Sequence, residues 1–190
     1  AYSSDLWPGL SRTYARAGVA CMASYPIEAR HRSQILPCNH HALDTRGDFT
    51  NFRIDRSGRL ITSVFVELSR GRNILRTMNY MSDRFAWLFP NLPRPSWEYY
   101  WTGSVDLHPV AFPQLLDLAP GVLAVAGYSS RGVPTATVMG RQIANYLSGT
   151  ARENIDVPIS VPKRLPFGFS LVPYLLLPFY RLRDGMAHGA

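Results

Sequence analysis

Apolar positions recur along this chain in distinct rhythms, and each rhythm predicts a different element. VACMASYPI at 19–27 is a short apolar run of strand length, and the segments 50–56 and 59–66 alternate or run β-branched around Arg56, Ser57 and Gly58, a hairpin signal. Ile74, Leu75, Met78, Met81, Phe85 and Leu88 fall at helical spacing within 70–89, so one helix is expected to lay that stripe on the sheet. SWEYYWTG at 96–103 reads as a further strand. Antiparallel sheet with a packed helix is an α+β arrangement.

A second rhythm occupies 122–140, where Val122, Leu123 and Val125 supply a buried strand that turns through glycines into a helix. The strand at 121–127 is expected to pair into a parallel sheet, and the helix to run over 131–147 with Gly149 as its stop. Gly127 and Gly132 permit close backbone approach, and a helix N-terminus offers free N–H groups to negative charge. The candidate cofactor loop is therefore Gly127, Tyr128, Ser129, Ser130, Arg131, Gly132 and Val133. Arg131, its one charged side chain, either faces the ligand or ion-pairs on the surface, since backbone amides supply an anion site without it.

From residue 151 onward prolines punctuate the chain, and an irregular tail is expected. Its apolar run at 172–180 contains Pro173 and Pro178 and falls short of the roughly 20 residues of a membrane span, so packing against a neighbouring domain is expected instead. With 190 residues, 46% of them hydrophobic, the chain is long enough for a sizeable core. Its net charge of +7 raises nucleic acid as a partner, yet the basic residues, all arginine except Lys163, are scattered rather than blocked. A dispersed solvated surface accounts for them, and no nucleic-acid or membrane partner is expected.

Cys21 and Cys38 are too few for a disulfide scaffold, and residues 1–10 have neither a basic n-region nor an apolar h-region. A reduced, cytoplasmic setting is expected. Cys38, His40 and His41 lack a second half-site at fixed spacing, so they read as a polar loop and no metal is expected.

Several motifs carry a resemblance. GYSSRGV at 127–133 followed by ATVMGRQIA at 136–144, with WTG at 101–103 and LAPGV at 118–122 before them, resembles the C-terminal part of FAD-dependent oxidoreductases of the D-amino-acid oxidase superfamily, especially the γ-glutamylputrescine oxidase-like branch with its glycine and sarcosine oxidase relatives. YSSDLWPGL at 2–10 is similar to the segment after the last strand of the first flavin-domain portion, and Phe52-Arg53 with SGRL at 57–60 to a hairpin of the substrate domain. The resemblance implies four parts: 1–18, a remnant of the FAD domain; 19–100, a substrate-binding domain; 101–150, a returning FAD-domain segment; and 151–190, the proline-rich tail. It implies FAD as cofactor, with Gly103 joining the loop residues, and Phe52, Arg53 and His108 on the substrate side.

No G-x-G-x-x-G follows a strand, so the grip on the ADP half of FAD is lacking, and FAD is expected to bind only with a dinucleotide-binding half supplied in cis or in trans. The implied reaction is hydride transfer from a C–H next to an amine nitrogen to flavin N5, followed by hydrolysis of the imine. Relatives carry glycine where Ser130 stands and Thr-x-Asp where His108 and Val110 stand. An arginine that clamps a substrate carboxylate in glycine-oxidase-like relatives falls near Val105, so a small amine is expected as substrate rather than a simple α-amino acid. Ile61-Thr-Ser-Val64 likewise replaces a glycine pair. These departures leave, as the alternative, a diverged non-catalytic binding module without flavin. By itself the chain is expected to be inactive.

Overall fold

The computed structural model describes residues 1–3, 6–66 and 73–188. They form two compact units: Gly18–Gly103 with Tyr174–Ala190, and Ala1–Ala17 with Ser104–Pro173.

The first unit is built on five strands, β1 (Ala15–Pro26), β2 (Ala42–Leu43), β3 (Asn51–Ile54), β4 (Arg59–Val66) and β5 (Trp97–Leu107), in the order β2-β3-β4-β1-β5. β1 and β5 run on into the other unit. The β3–β4 hairpin closes at Gly58, where φ is +81° and the N–H donates to the Asp55 carbonyl at 3.0 Å. Antiparallel register sets Phe52 opposite Thr62 and Ala20 opposite Val64. With a period of two, that register gathers Ala20, Met22, Phe52, Ile54, Leu60 and Val64 into one core.

Between these strands lie two helices, α1 (Ala29–Ile35) and α2 (Ile74–Leu88). Asn73 caps α2, its side chain accepting the Arg76 N–H at 3.0 Å, so the helix begins at Ile74, the first residue of its apolar stripe. Residues 70–72 of the expected helix lie outside the described residues. Met81 and Phe85 enter the core, and the Phe85 ring meets Phe52 edge-on at 5.2 Å. Ile74 and Leu75 remain 46% and 73% exposed, so the first turn of the stripe takes no part in the core.

The tail differs from expectation. Rather than staying irregular, it ends in a helix, α4 (Val172–His188). Pro173 sits in the first turn, where no N–H is needed, while Pro178 removes an internal hydrogen bond, at a cost of about 3 kcal/mol. Docking offsets that cost. Arg181 donates through Nε to Asp48 Oδ2 at 2.8 Å, and the Asp48 N–H donates to Asp184 Oδ2 at 3.1 Å. A Cβ at Gly47 would come within 2.5 Å of the Tyr180 ring, so glycine is what lets this loop and helix meet.

In the second unit, β6 (Gln114–Ala119), β7 (Val122–Ala126) and β8 (Ile159–Ser160) are ordered β7-β6-β8, with α3 (Gly132–Leu147) following β7. β7 pairs antiparallel with β6 rather than with a parallel neighbour and forms the edge of this sheet, and the parallel partner of β6 is β8. The Pro120-Gly121 connection is too short for a crossover and closes a hairpin, with Gly121 at φ +76°. Successive residues of β6 serve opposite faces. Leu115 packs with Met139, Val157 and Ile159, whereas Leu116 packs with Leu10, Tyr14 and Ala126.

Replacing Phe85 by alanine should destabilise the protein by about 3–5 kcal/mol, whereas Leu75→Ala on the exposed first turn should change stability by no more than about 0.5 kcal/mol. Denaturant unfolding of both variants checks the contrast, and equal losses would contradict the placement of the core.

Candidate functional site

β7 ends at Ala126 and α3 begins at Gly132, and the turn between them is laced to the end of β5. Asp106 does the lacing. Its buried carboxylate accepts the Gly127 N–H at 2.7 Å and its carbonyl accepts the Ser129 N–H at 2.8 Å. The His108 N–H donates to Ser129 Oγ at 3.0 Å, and that hydroxyl donates to the Gly127 carbonyl at 3.2 Å.

The backbone pays for this path in conformation. Gly127 has φ +80°, and a Cβ there would lie 2.8 Å from the His108 Cβ. Ser129 and Ser130 also take left-handed φ, +52° and +66°. For a residue with a Cβ this costs about 1–2 kcal/mol. Ser129 is held by its hydrogen bonds, while the exposed Ser130 side chain makes none among the described residues.

α3 starts without a side-chain cap, and no acidic residue lies in its first turn. Pro134 has no N–H to offer, so the Gly132 and Val133 amides are the donors that the helix itself leaves unspent. The whole backbone from 127 to 133 was expected to face an anion. The structure narrows this, because Asp106 consumes the Gly127 and Ser129 amides and the Arg131 N–H donates to the Tyr128 carbonyl at 3.0 Å. Arg131 turns its guanidinium to the Ala111 carbonyl at 2.8 Å.

Electrostatics follow burial. The Tyr128 phenol is pushed up by burial and by the Asp106 charge. Burial pushes His108 down, keeping the imidazole neutral, and its Nδ1 accepts the Val110 N–H at 3.3 Å. Nε2 then bears the hydrogen.

The remaining candidates lie elsewhere. Gly103 is on β5, in the other unit. Phe52 is spent on the core there, with rings of Phe85 and Phe89 edge-on at 5.2 and 5.9 Å, and Arg53 is exposed on the opposite face of β3. Asp106 was missed by sequence reading, its only signal being a lone carboxylate in the SVDL end of an aromatic strand. Cys21 and Cys38 are free thiols, and burial pushes Cys21 up. Among the described residues no cluster of three His, Cys, Asp or Glu is placed to hold a metal ion, and no helix is long and apolar enough to cross a membrane.

Comparison with known proteins gives one family. The family described as FAD dependent oxidoreductase (DAO) matches residues 1–146. The chain is 26% identical over 162 residues to the probable oxidoreductase OrdL of Rhizobium meliloti (strain 1021), a match covering 80% of this chain and 36% of that protein. It is 35% identical over 100 residues to the gamma-glutamylputrescine oxidoreductase of Escherichia coli (strain K12), covering 50% of this chain and 23% of that one. The chain thus spans well under half the length of these relatives. No solved structure matches it.

Ser130→Gly should stabilise the protein by about 1 kcal/mol by relieving the left-handed serine. Gly127→Ala should destabilise it by more than that, since a Cβ there adds a collision with His108 to the strain, and thermal unfolding of the two variants reads the opposite signs. His108 also predicts a pH dependence. Its folded pKa lies below the unfolded value of about 6.5, so its contribution is complete above that value and is lost as pH falls through the folded one. An NMR titration of the His108 ring should give a midpoint below 6.5, and one at or above it would contradict the half-buried neutral ring.

Proposed function

Since the chain belongs to the FAD dependent oxidoreductase (DAO) family, we propose that it forms part of a flavoenzyme that oxidises a small amine, and that the turn into α3 holds the flavin. The observation carrying this reading is the pair of unspent amides at Gly132 and Val133, presented by a turn that Asp106 fixes from behind. Those donors fit an anionic acceptor edge, and the helix dipole adds roughly half a positive charge at the same end. Bound there, FAD supplies the acceptor for a hydride from a C–H next to nitrogen, the resulting imine being hydrolysed.

This chain's residues supply position and charge. The Asp106–Gly127 hydrogen bond holds the turn, and Gly127 lets the backbone pack on His108 without a side chain between them. His108 is neutral at physiological pH and keeps Nε2–H as a donor. Val105 offers no fork for a carboxylate, which favours an amine over a simple α-amino acid. With no G-x-G-x-x-G after a strand, the grip on the ADP half falls to a dinucleotide-binding portion joined to this chain or carried by a partner. The free cysteines fit a reduced, cytoplasmic setting.

Protein purified from its native source should carry flavin absorption bands together with mass beyond the 21.3 kDa of this chain, and should release hydrogen peroxide or reduce a dye when given amines. Asp106→Ala should lower flavin occupancy about tenfold or more, since it leaves the Gly127 amide buried without an acceptor. A native preparation that carries mass beyond 21.3 kDa yet stays colourless with added FAD would sink the proposal that this chain contributes a flavin site.

A further inference from the structure

A cavity of about 280 Å³ opens among α2, α4 and the loop after β2, with Arg46, Tyr80, Arg84, Trp87 and Arg181 on its wall. Positions 80, 84 and 87 share one face of α2, so the helix brings a phenol, a guanidinium and an indole to the same side.

The donor inventory indicates what this wall can take. Arg84 is largely committed: Nη1 donates to the Tyr80 hydroxyl at 2.9 Å, and Nη2 to the Asp48 carbonyl at 2.5 Å and the Asp44 carboxylate at 3.1 Å. Arg181 spends Nε on Asp48 and Nη2 on the Phe65 carbonyl, both at 2.8 Å, which leaves its Nη1. Arg46 is the least committed. Its guanidinium lies over the Trp87 ring at 4.1 Å, and its Nε stands 3.7 Å from the Asp44 carboxylate, beyond hydrogen-bond reach.

Acidic groups on the wall already have cationic partners. Asp83 pairs with Arg94 at 2.6 Å, and Asp184 accepts from Arg183 at 3.0 Å and from the Asp48 N–H. Guanidinium carries donors and no acceptor, so the spare hydrogen-bonding capacity on Arg46 and Arg181 calls for an anionic acceptor. Asp44, Asp48 and Asp184 nearby penalise a dianion such as phosphate, and the indole face suits hydrocarbon.

We propose that this cavity binds a small organic monocarboxylate, its head on the Arg46 guanidinium with Arg181 beside it, and its hydrocarbon body along Trp87. The ligand would add a bridge between the loop after β2 and α4, which Asp48 already joins. The site belongs wholly to the sheet unit and stands independently of the flavin reading.

Cyclohexanecarboxylate tests it, titrated into the intact protein with tryptophan fluorescence as readout and Trp87→Phe as the blank. A saturable change with half-saturation on the order of 1 mM is expected. The neutral cyclohexanecarboxamide should bind at least about tenfold more weakly, as should the carboxylate to Arg46→Gln, with Arg46→Lys in between. No saturation in the unmodified protein up to about 50 mM, or an amide that binds as well as the acid, overturns the proposal. Because that acid-against-amide comparison needs no variant, the test stands even where Arg46→Gln fails to fold; a folded Arg46→Gln that binds as tightly as the original also overturns it.

Discussion

One buried carboxylate governs the turn on which the functional reading rests. Asp106 takes the Gly127 amide on its side chain and the Ser129 amide on its carbonyl, so the end of β5 and the exit of β7 cannot move independently. A hydrogen bond to a charged acceptor contributes about 1.5–3 kcal/mol, and losing the acceptor would strand a buried N–H. Together with the neutral bond from the Ser129 N–H, at about 0.5–1.5 kcal/mol, that is of the same order as the cost of holding Ser129 and Ser130 left-handed, about 1–2 kcal/mol each. Strain and anchor belong together here: without Asp106 the turn has no reason to keep this path, and α3 no fixed place to begin.

A second buried carboxylate plays the corresponding part in the sheet unit. Asp48 collects the Tyr80 hydroxyl at 2.7 Å and the Arg181 guanidinium at 2.8 Å, and its carbonyl takes Arg84. Burial and the Asp48 charge together push the Tyr80 phenol up, which keeps it protonated as a donor. Burying such charges costs several kcal/mol per ion, so the cluster adds little net stability over a hydrocarbon core. Its effect is selective. α4 delivers Arg181 and Asp184 to this spot as hydrogen-bond partners of Asp48, and this explains how a segment interrupted by Pro178 docks as α4.

What the sequence made legible follows from the range of the forces involved. The β3–β4 hairpin, β1 and α3 are local patterns, where apolar period and glycine placement suffice, and each appears close to where the residues put it. The antiparallel pairing of β7 with β6 is absent from the sequence reading, although Pro120-Gly121 at the end of QLLDLA is a legible hairpin signal. α4 was hidden because its prolines argue against a helix locally, while the partners that hold it, Asp48 and Gly47, lie more than a hundred residues away. Phe52 was legible as part of a hairpin, but its burial against Phe85 depends on α2 and cannot be read from the hairpin alone.

The candidate loop shows the same limit at finer grain. Glycines at 127 and 132 announced a turn with accessible backbone, and the turn is there, yet the amides it presents are set by a side chain outside it. A motif-level reading counts every N–H between 127 and 133 as available. Geometry removes Gly127, Ser129 and Arg131 and moves the donor surface onto the first turn of α3. The glycine at 127 therefore serves contact with His108 rather than direct access for a ligand, and the serine at 130 is tolerable because it lies on the exposed side of an anchored turn. The anion recognition proposed for this loop would depend less on how many glycines it contains than on Asp106 holding its backbone in one strained conformation.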